Sequence, residues 1–174
     1  MWMKQGIAVA ALVLVAAASA ASAAAQPATA QTATAQPAGA DPVAAMKSGR
    51  KLFEKTCKMC HGLDRALSMT RDAPAWAQIV KRMVAYGSPL SAEQRPLVVR
   101  YLATRSTFAG KCSSCHDLTR VVSDKPGAQD WKVLTERMGG HVRDLEKQGV
   151  APAGVTFSPE ELADIAALLQ VVIP

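Results

Sequence analysis

An all-α fold assembled from two similar halves is what these 174 residues predict, and three observations carry that expectation. Apolar residues recur at helical spacing, and no alternating stretch is long enough for a strand. Sliding the chain against itself by 55 residues superposes Phe53 on Phe108, Cys57 on Cys112, Cys60 on Cys115 and His61 on His116. The match continues through Leu63 and Leu118, Arg65 and Arg120, Trp76 and Trp131, Arg82 and Arg137, and Met83 and Met138, so a whole structural unit is repeated. Finally, three Phe, three Trp and two Tyr are too few aromatics to fill a body of this size, which needs another source of apolar bulk.

The elements follow in order. Lys4 supplies one positive charge, Gly6 to Ala18 is an apolar run, and Ala18-Ser19-Ala20 and Ala21-Ser22-Ala23 fit the A-x-A cleavage pattern. Residues 1–23 are therefore expected to be a secretory signal peptide; an uncleaved anchor is the alternative, because the stretch through Ala25 approaches the roughly 20 residues that span a bilayer. Residues 24–42, almost wholly Ala, Gln, Thr and Pro, cannot bury enough apolar surface to offset chain entropy and are expected to form a tether.

The first helix is expected over Val43–Thr56, after Asp41 and Pro42. A second spans Ala75–Tyr86, ended by Gly87 and Pro89, and Ser91 caps a third that runs to about Arg105. In the second copy Asp130 caps a helix to about Gly139, and Ser158-Pro159-Glu160 opens the last, to about Val171. Residues His141 to Gly154 have no counterpart in the first copy. Only six residues separate Arg105 from Cys112. The helix that closes the first half, 43–106, is therefore expected to open the second half, 107–174, as well, within one compact unit.

Cys57-Lys58-Met59-Cys60-His61 and Cys112-Ser113-Ser114-Cys115-His116 place two thiols three positions apart with an imidazole next to the second. Two such thiols can form thioethers to the vinyl groups of one haem, and the adjacent histidine can reach its iron. A structural zinc site would need the pairs to converge as four sulfurs, leaving both histidines unexplained, and a redox dithiol would want a βαβ context. Two covalently bound haems also resolve the aromatic shortage.

With these residues in view, Gly49-x-x-x-Phe53-x-x-x-Cys57-x-x-Cys60-His61, followed by a later helix such as Leu97 to Thr104, resembles a class I c-type cytochrome over residues 45–172. The paired arrangement, with Trp76 and Met83 repeated by Trp131 and Met138, is similar to the dihaem module of quinohaemoprotein amine dehydrogenases and related dihaem cytochromes. The resemblance implies two cytochrome c-like haem-binding halves and an electron-transfer role.

A sixth iron ligand must come from elsewhere in each half. Trp76, Ile79 or Val80, and Met83 share one helix face, and Trp131, Leu134 and Met138 repeat it. Met83 and Met138 are accordingly the candidate ligands, with packing in an amphipathic helix as the alternative. His141, three residues after Met138, is the rival at the second haem; Tyr86 stands at its place in the first copy. A thioether ligand raises the potential and a second histidine lowers it. Arg65 and Arg120 could pair with haem propionates or stand solvated.

The charge is uneven. Twelve Lys and Arg against four Asp and Glu give +8 over 43–106, and seven against nine give −2 over 107–174. Lys47, Arg50, Lys51, Lys55 and Lys58 cluster at the first motif, so redox partners are expected to be acidic where they meet the first haem. Nucleic acid is not an expected partner of an exported protein without an aromatic stacking platform. Membrane contact is expected only if the N-terminal segment stays uncleaved.

The function expected from the sequence is that of a periplasmic dihaem cytochrome c, not itself an enzyme, passing electrons from a dehydrogenase or other donor to a respiratory-chain acceptor. A peroxidase-like haem enzyme or sensor with one open iron position is the alternative, and an assembly or copper-handling protein using its thiols directly is a third reading.

Overall fold

Three of the long helices begin where a short polar side chain, Asp41, Asp72 or Ser158, satisfies one of the first free backbone N–H groups. The computed structural model describes residues 41–123 and 128–173, and no strand occurs among them. The expected signal peptide and residues 24–40 of the expected tether lie outside the described residues.

Helix α1 (Pro42–Thr56) starts with the Asp41 carboxylate accepting from the Val43 N–H at 2.9 Å and with Pro42 in the first turn. A tight turn, Cys57–Met59, and the short α2 (Asp64–Leu67) follow. Helix α3 (Ala73–Ala85) is capped by Asp72, which accepts from Ala75 N–H at 2.9 Å. It stops at Gly87, whose φ of 100° suits glycine. There Gly87 N–H donates to the Val84 carbonyl at 3.0 Å and Ser88 N–H to the Met83 carbonyl at 3.0 Å, a Schellman ending.

Helix α4 (Gln94–Thr107) continues without a break into one wider turn of π-helical geometry, Phe108–Cys112. No separate helix precedes Cys112. After α5 (Thr119–Ser123) come α6 (Ala128–Lys147) and α7 (Pro159–Val172). The Ser158 hydroxyl accepts from Glu161 N–H at 3.1 Å while Glu161 Oε2 accepts from Ser158 N–H at 2.9 Å, a complete capping box.

Two expectations about boundaries are corrected. Ser91 does not cap α4: its hydroxyl donates to Glu93 and its N–H to the Gln94 side chain, which spends residues 91–93 on a turn. Nor does α6 end at Gly139 or take Asp130 as its cap. It is 20 residues long, with Asp130 in its first turn and both glycines in its interior. Gly139 marks a close packing contact rather than a stop, since a Cβ there would lie 2.5 Å from Leu162 Cδ1 and that side chain would have to shift. The segment without a counterpart in the first copy extends α6 past His141, and the same Schellman pattern then closes it. Gly149 N–H donates to Glu146 and Val150 N–H to Leu145, each at 3.0 Å, with Gly149 at φ 71°.

Packing repeats as the residues do. α1 and α3 both lie on α4, and α4 and α6 both lie on α7, so α4 takes part in both arrangements. Between α1 and α4, Gly49 allows an approach in which an added Cβ would collide with the Leu97 carbonyl. The Arg100 guanidinium grips both oxygens of Asp164 between α4 and α7, and Arg50 donates to the Val171 carbonyl at 2.7 Å.

The larger core surrounds Met46, Phe53, Trp76, Val98, Tyr101 and Leu168, all nearly inaccessible to solvent. The smaller one holds Trp131, Ile165, Ala166 and Leu169, with Phe108, Val121, Leu134 and Phe157 only half-buried around it. Its apolar rim is unfinished, and the second motif lies there.

Candidate haem-binding sites

Both motifs begin where a long helix ends: Cys57 directly follows α1, and Cys112 closes the turn that prolongs α4. In each, the first cysteine is half-buried and the second exposed, and the four thiols form no disulfide. Burial pushes the Cys57 thiol up, with the Thr56 hydroxyl opposing, and it pushes Cys112 up to about 11, with Cys115 adding and Lys111 opposing. A thiol held neutral by burial is a poor metal thiolate. Among the described residues no three His, Cys, Asp or Glu side chains converge as a metal-binding group, so the four-sulfur zinc geometry is not formed.

The two histidines repeat in geometry as well as in sequence. His61 Nδ1 lies 2.9 Å from the Gly62 carbonyl and His116 Nδ1 lies 3.1 Å from the Asp117 carbonyl. A carbonyl can only accept, so Nδ1 carries the proton and Nε2 is left with its lone pair for iron.

At the second motif the structure brings the expected residues together. A cavity of about 400 Å³ is lined by Cys112, Cys115 and His116 together with Met138 and His141 of α6, with Trp131, Phe108 and Ile165 among its apolar walls. Met138 is 41% exposed, which is high for a methionine serving only as core packing. The walls include Phe108, Val121, Leu134 and Phe157, the side chains that leave the smaller core unfinished. The cavity thus has the thiols, the imidazole, two candidate distal ligands and an uncovered apolar lining, and these residues fit a haem.

The first motif is arranged differently. Cys57, Leu63, Leu67 and Met69 pack against the larger core, while Cys60 and His61 are exposed. Met83 is half-buried on α3, and neither of the two cavities described reaches it or the first motif. Trp76, beneath this region, donates through Nε1 to the buried Ser106 hydroxyl at 2.9 Å. Arg65, Arg82 and Arg137 are exposed, and the Arg120 side chain lies outside the described part of the structure.

Lys111 is a site residue that the sequence reading passes over. It lines the cavity, donates to Glu161 and to the Thr156 carbonyl, each at 2.7 Å, and stands 5.3 Å above the Phe157 ring. It ties the approach to Cys112 to the start of α7. Its counterpart by the repeat is Thr56, whose hydroxyl instead bonds back to the Leu52 carbonyl, so the repeat carries no signal for it.

Comparison with known proteins adds one match. No curated protein matches the chain, and no solved structure does. Residues 44–102, from α1 through most of α4, match the family model described as cytochrome C oxidase, cbb3-type, subunit III. That similarity reaches only the first motif, and it supports a c-type cytochrome with covalently bound haem and a role in electron transfer.

Proposed function

We propose that the chain is a periplasmic dihaem cytochrome c that relays electrons from a dehydrogenase or other donor to a respiratory-chain acceptor, and that it performs no bond-making chemistry of its own. The cavity at the second motif carries this reading, because it faces Cys112, Cys115 and His116 with two further ligand candidates on α6. The first haem rests on Cys57, Cys60 and His61, inside the segment that matches the cytochrome model.

When bound, haem supplies a one-electron iron couple. The chain's own work is to hold it. Cys57 and Cys60, and Cys112 and Cys115, would anchor the two groups. His61 and His116 would offer Nε2, and Met83 and Met138 their thioether sulfurs, to the two irons. Trp131, Phe108 and Leu134 line the second site with apolar surface that would pack against the group and keep water from that side of it.

Intact mass and optical spectra test the reading. A mass increased by two haems, colour retained through acid–acetone extraction, and low-spin spectra in both redox states that ignore carbon monoxide and cyanide are the expected results. A colourless protein with titrating thiols overturns it. Ready binding of carbon monoxide by one iron would establish an open site and move the function towards a haem enzyme or sensor.

A further inference from the structure

We propose that the Ser88 hydroxyl donates a hydrogen bond to a carboxylate of the first haem and so makes the two haems unequal; this rests on the first motif carrying haem. Among the described residues, Ser88 Oγ is the one buried side-chain oxygen or nitrogen without a hydrogen-bond partner. The backbone of the residue is engaged on both sides: its N–H donates to the Met83 carbonyl at 3.0 Å, and its carbonyl accepts from Leu90 N–H at 2.9 Å. A hydroxyl turns freely about its bond, so the missing partner means that no acceptor of the chain lies within its sweep. Such a group costs about 1–3 kcal/mol. A bound molecule that brings an acceptor removes that cost.

The repeat indicates where the hydroxyl is aimed. Gly87-Ser88-Pro89-Leu90-Ser91 stands in register with Gly154-Val155-Thr156-Phe157-Ser158. Both glycines hold positive φ, 100° and 74°, and in both the next side chain is tucked in: Val155 is 5% exposed and the Ser88 oxygen is buried. Val155 lines the cavity shared with Cys112, Cys115 and His116. Its counterpart therefore faces the first haem, with a hydroxyl where the second half has a methyl group. Leu90, two residues on, belongs to the core against which Cys57 packs, which keeps Ser88 on the side of the first motif. Haem carries its peripheral hydrogen-bond acceptors in its carboxylates, and a hydroxyl bonded to an anion is held about twice as strongly as one bonded to a neutral group. The Met83 thioether, the other acceptor at this end of α3, takes no bond from Ser88. A carboxylate that accepts from Ser88 projects less negative charge onto iron, so the first haem holds its electron more tightly, and Val155 gives the second haem no such bond.

The test compares the native holoprotein with Ser88→Ala and with the pair Ser88→Thr and Ser88→Val, which share a shape and differ in the hydroxyl. A redox titration resolves the two haems, and the wave that M138L/H141L moves belongs to the second. Resonance Raman spectra read the bending band of the haem carboxylates, which responds to hydrogen bonds on them. In Ser88→Ala and Ser88→Val the first haem is expected to shift towards the ferric state on the order of 3-fold or more, about 30 mV for a one-electron couple in which tenfold is 59 mV. The carboxylate band moves with it, the second wave stays, and Ser88→Thr remains close to native in both readouts.

An unmoved first wave and carboxylate band in Ser88→Ala and Ser88→Val overturn the proposal, since an ordered water would then answer the hydroxyl. So does a shifted methionine-to-iron charge-transfer band with the carboxylate band unmoved, because the acceptor would then be Met83 Sγ. Equal shifts in Ser88→Thr and Ser88→Val overturn it as well, as the effect would follow bulk instead of the hydroxyl. The mass of the peptide bearing Cys57 and Cys60 is measured on the same samples; a peptide without haem refutes the underlying reading of the first site rather than the role of Ser88.

Discussion

Met138 and His141 stand three residues apart on α6 and line the same cavity as His116. One helix turn therefore presents two chemically different ligands to one candidate iron position. Met138 has Met83 as its counterpart in the repeat, and it sits a turn nearer the buried Trp131. Met138→Leu is expected to abolish the low-spin spectrum of the second haem and its methionine-to-iron charge-transfer band, and to lower its potential. His141→Leu is expected to leave all three unchanged. Optical and near-infrared spectra with a redox titration distinguish the two; the reverse pattern would make His141 the ligand.

How far this was legible in the sequence depends on the range of the forces involved. Asp41-Pro42 and Ser158-Pro159 are local signals, and the helices they open lie close to where the pattern puts them. The cysteines and histidines are legible because thioether attachment demands a fixed spacing. The length of α6 is not, because Gly139-Gly140 reads as a helix stop to any rule based on propensity, whereas the contact of Gly139 with Leu162 comes from a residue 23 positions away in the chain. Lys111 is hidden for a similar reason: its partners Thr156 and Glu161 lie on the far side of α6 in sequence. Met83 shows the limit of argument by repeat, since the same sequence offset does not place it on a described cavity as it does Met138.

The glycines of the helices should divide sharply on substitution. Gly49→Ala would drive a methyl group into the Leu97 carbonyl and against Tyr101 Cβ at 3.0 Å, both on α4. Backbone cannot yield as a side-chain tip can, so a loss of about 3 kcal/mol is expected. Gly140→Ala meets only Arg143 Nη2 at 3.7 Å, and a gain of about 0.5–1 kcal/mol is expected from helix propensity. Urea unfolding of the two holoproteins checks both, and similar midpoints would show that α1 and α4 are not held at the separation described.

The start of α7 should be the weak point of the second site. Ser158→Ala removes the cap from Glu161 N–H and is expected to cost about 1 kcal/mol. Lys111→Met removes an ion pair whose partners are 26% and 36% exposed, together with a bond to the Thr156 carbonyl, and about 1 kcal/mol is again the expected loss. The two act through Glu161, so the double variant should lose less or more than the sum. A double-mutant cycle in urea measures this; strict additivity would mean that the Lys111 contact and the capping box do not share Glu161.

The half-buried cysteine of the second motif should give the haem-free chain a pH dependence that haem attachment removes. Burial raises Cys112 from 9.0 to about 11, so its thiolate fraction near pH 8 is about 100-fold below that of an ordinary thiol, and alkylation by iodoacetamide should be slower there than at exposed Cys115. The sign for stability follows from the same shift. Between the unfolded and folded values the folded state holds the proton and the unfolded state has lost it, so stability is fully present below about pH 9 and falls as pH rises towards 11. A thioether has no proton to lose, and the holoprotein should show no such decline from this residue. Peptide mapping of alkylation rates, with and without denaturant, provides the measurement: equal rates at Cys112 and Cys115 in the folded haem-free chain would show that the cavity wall does not cover Cys112.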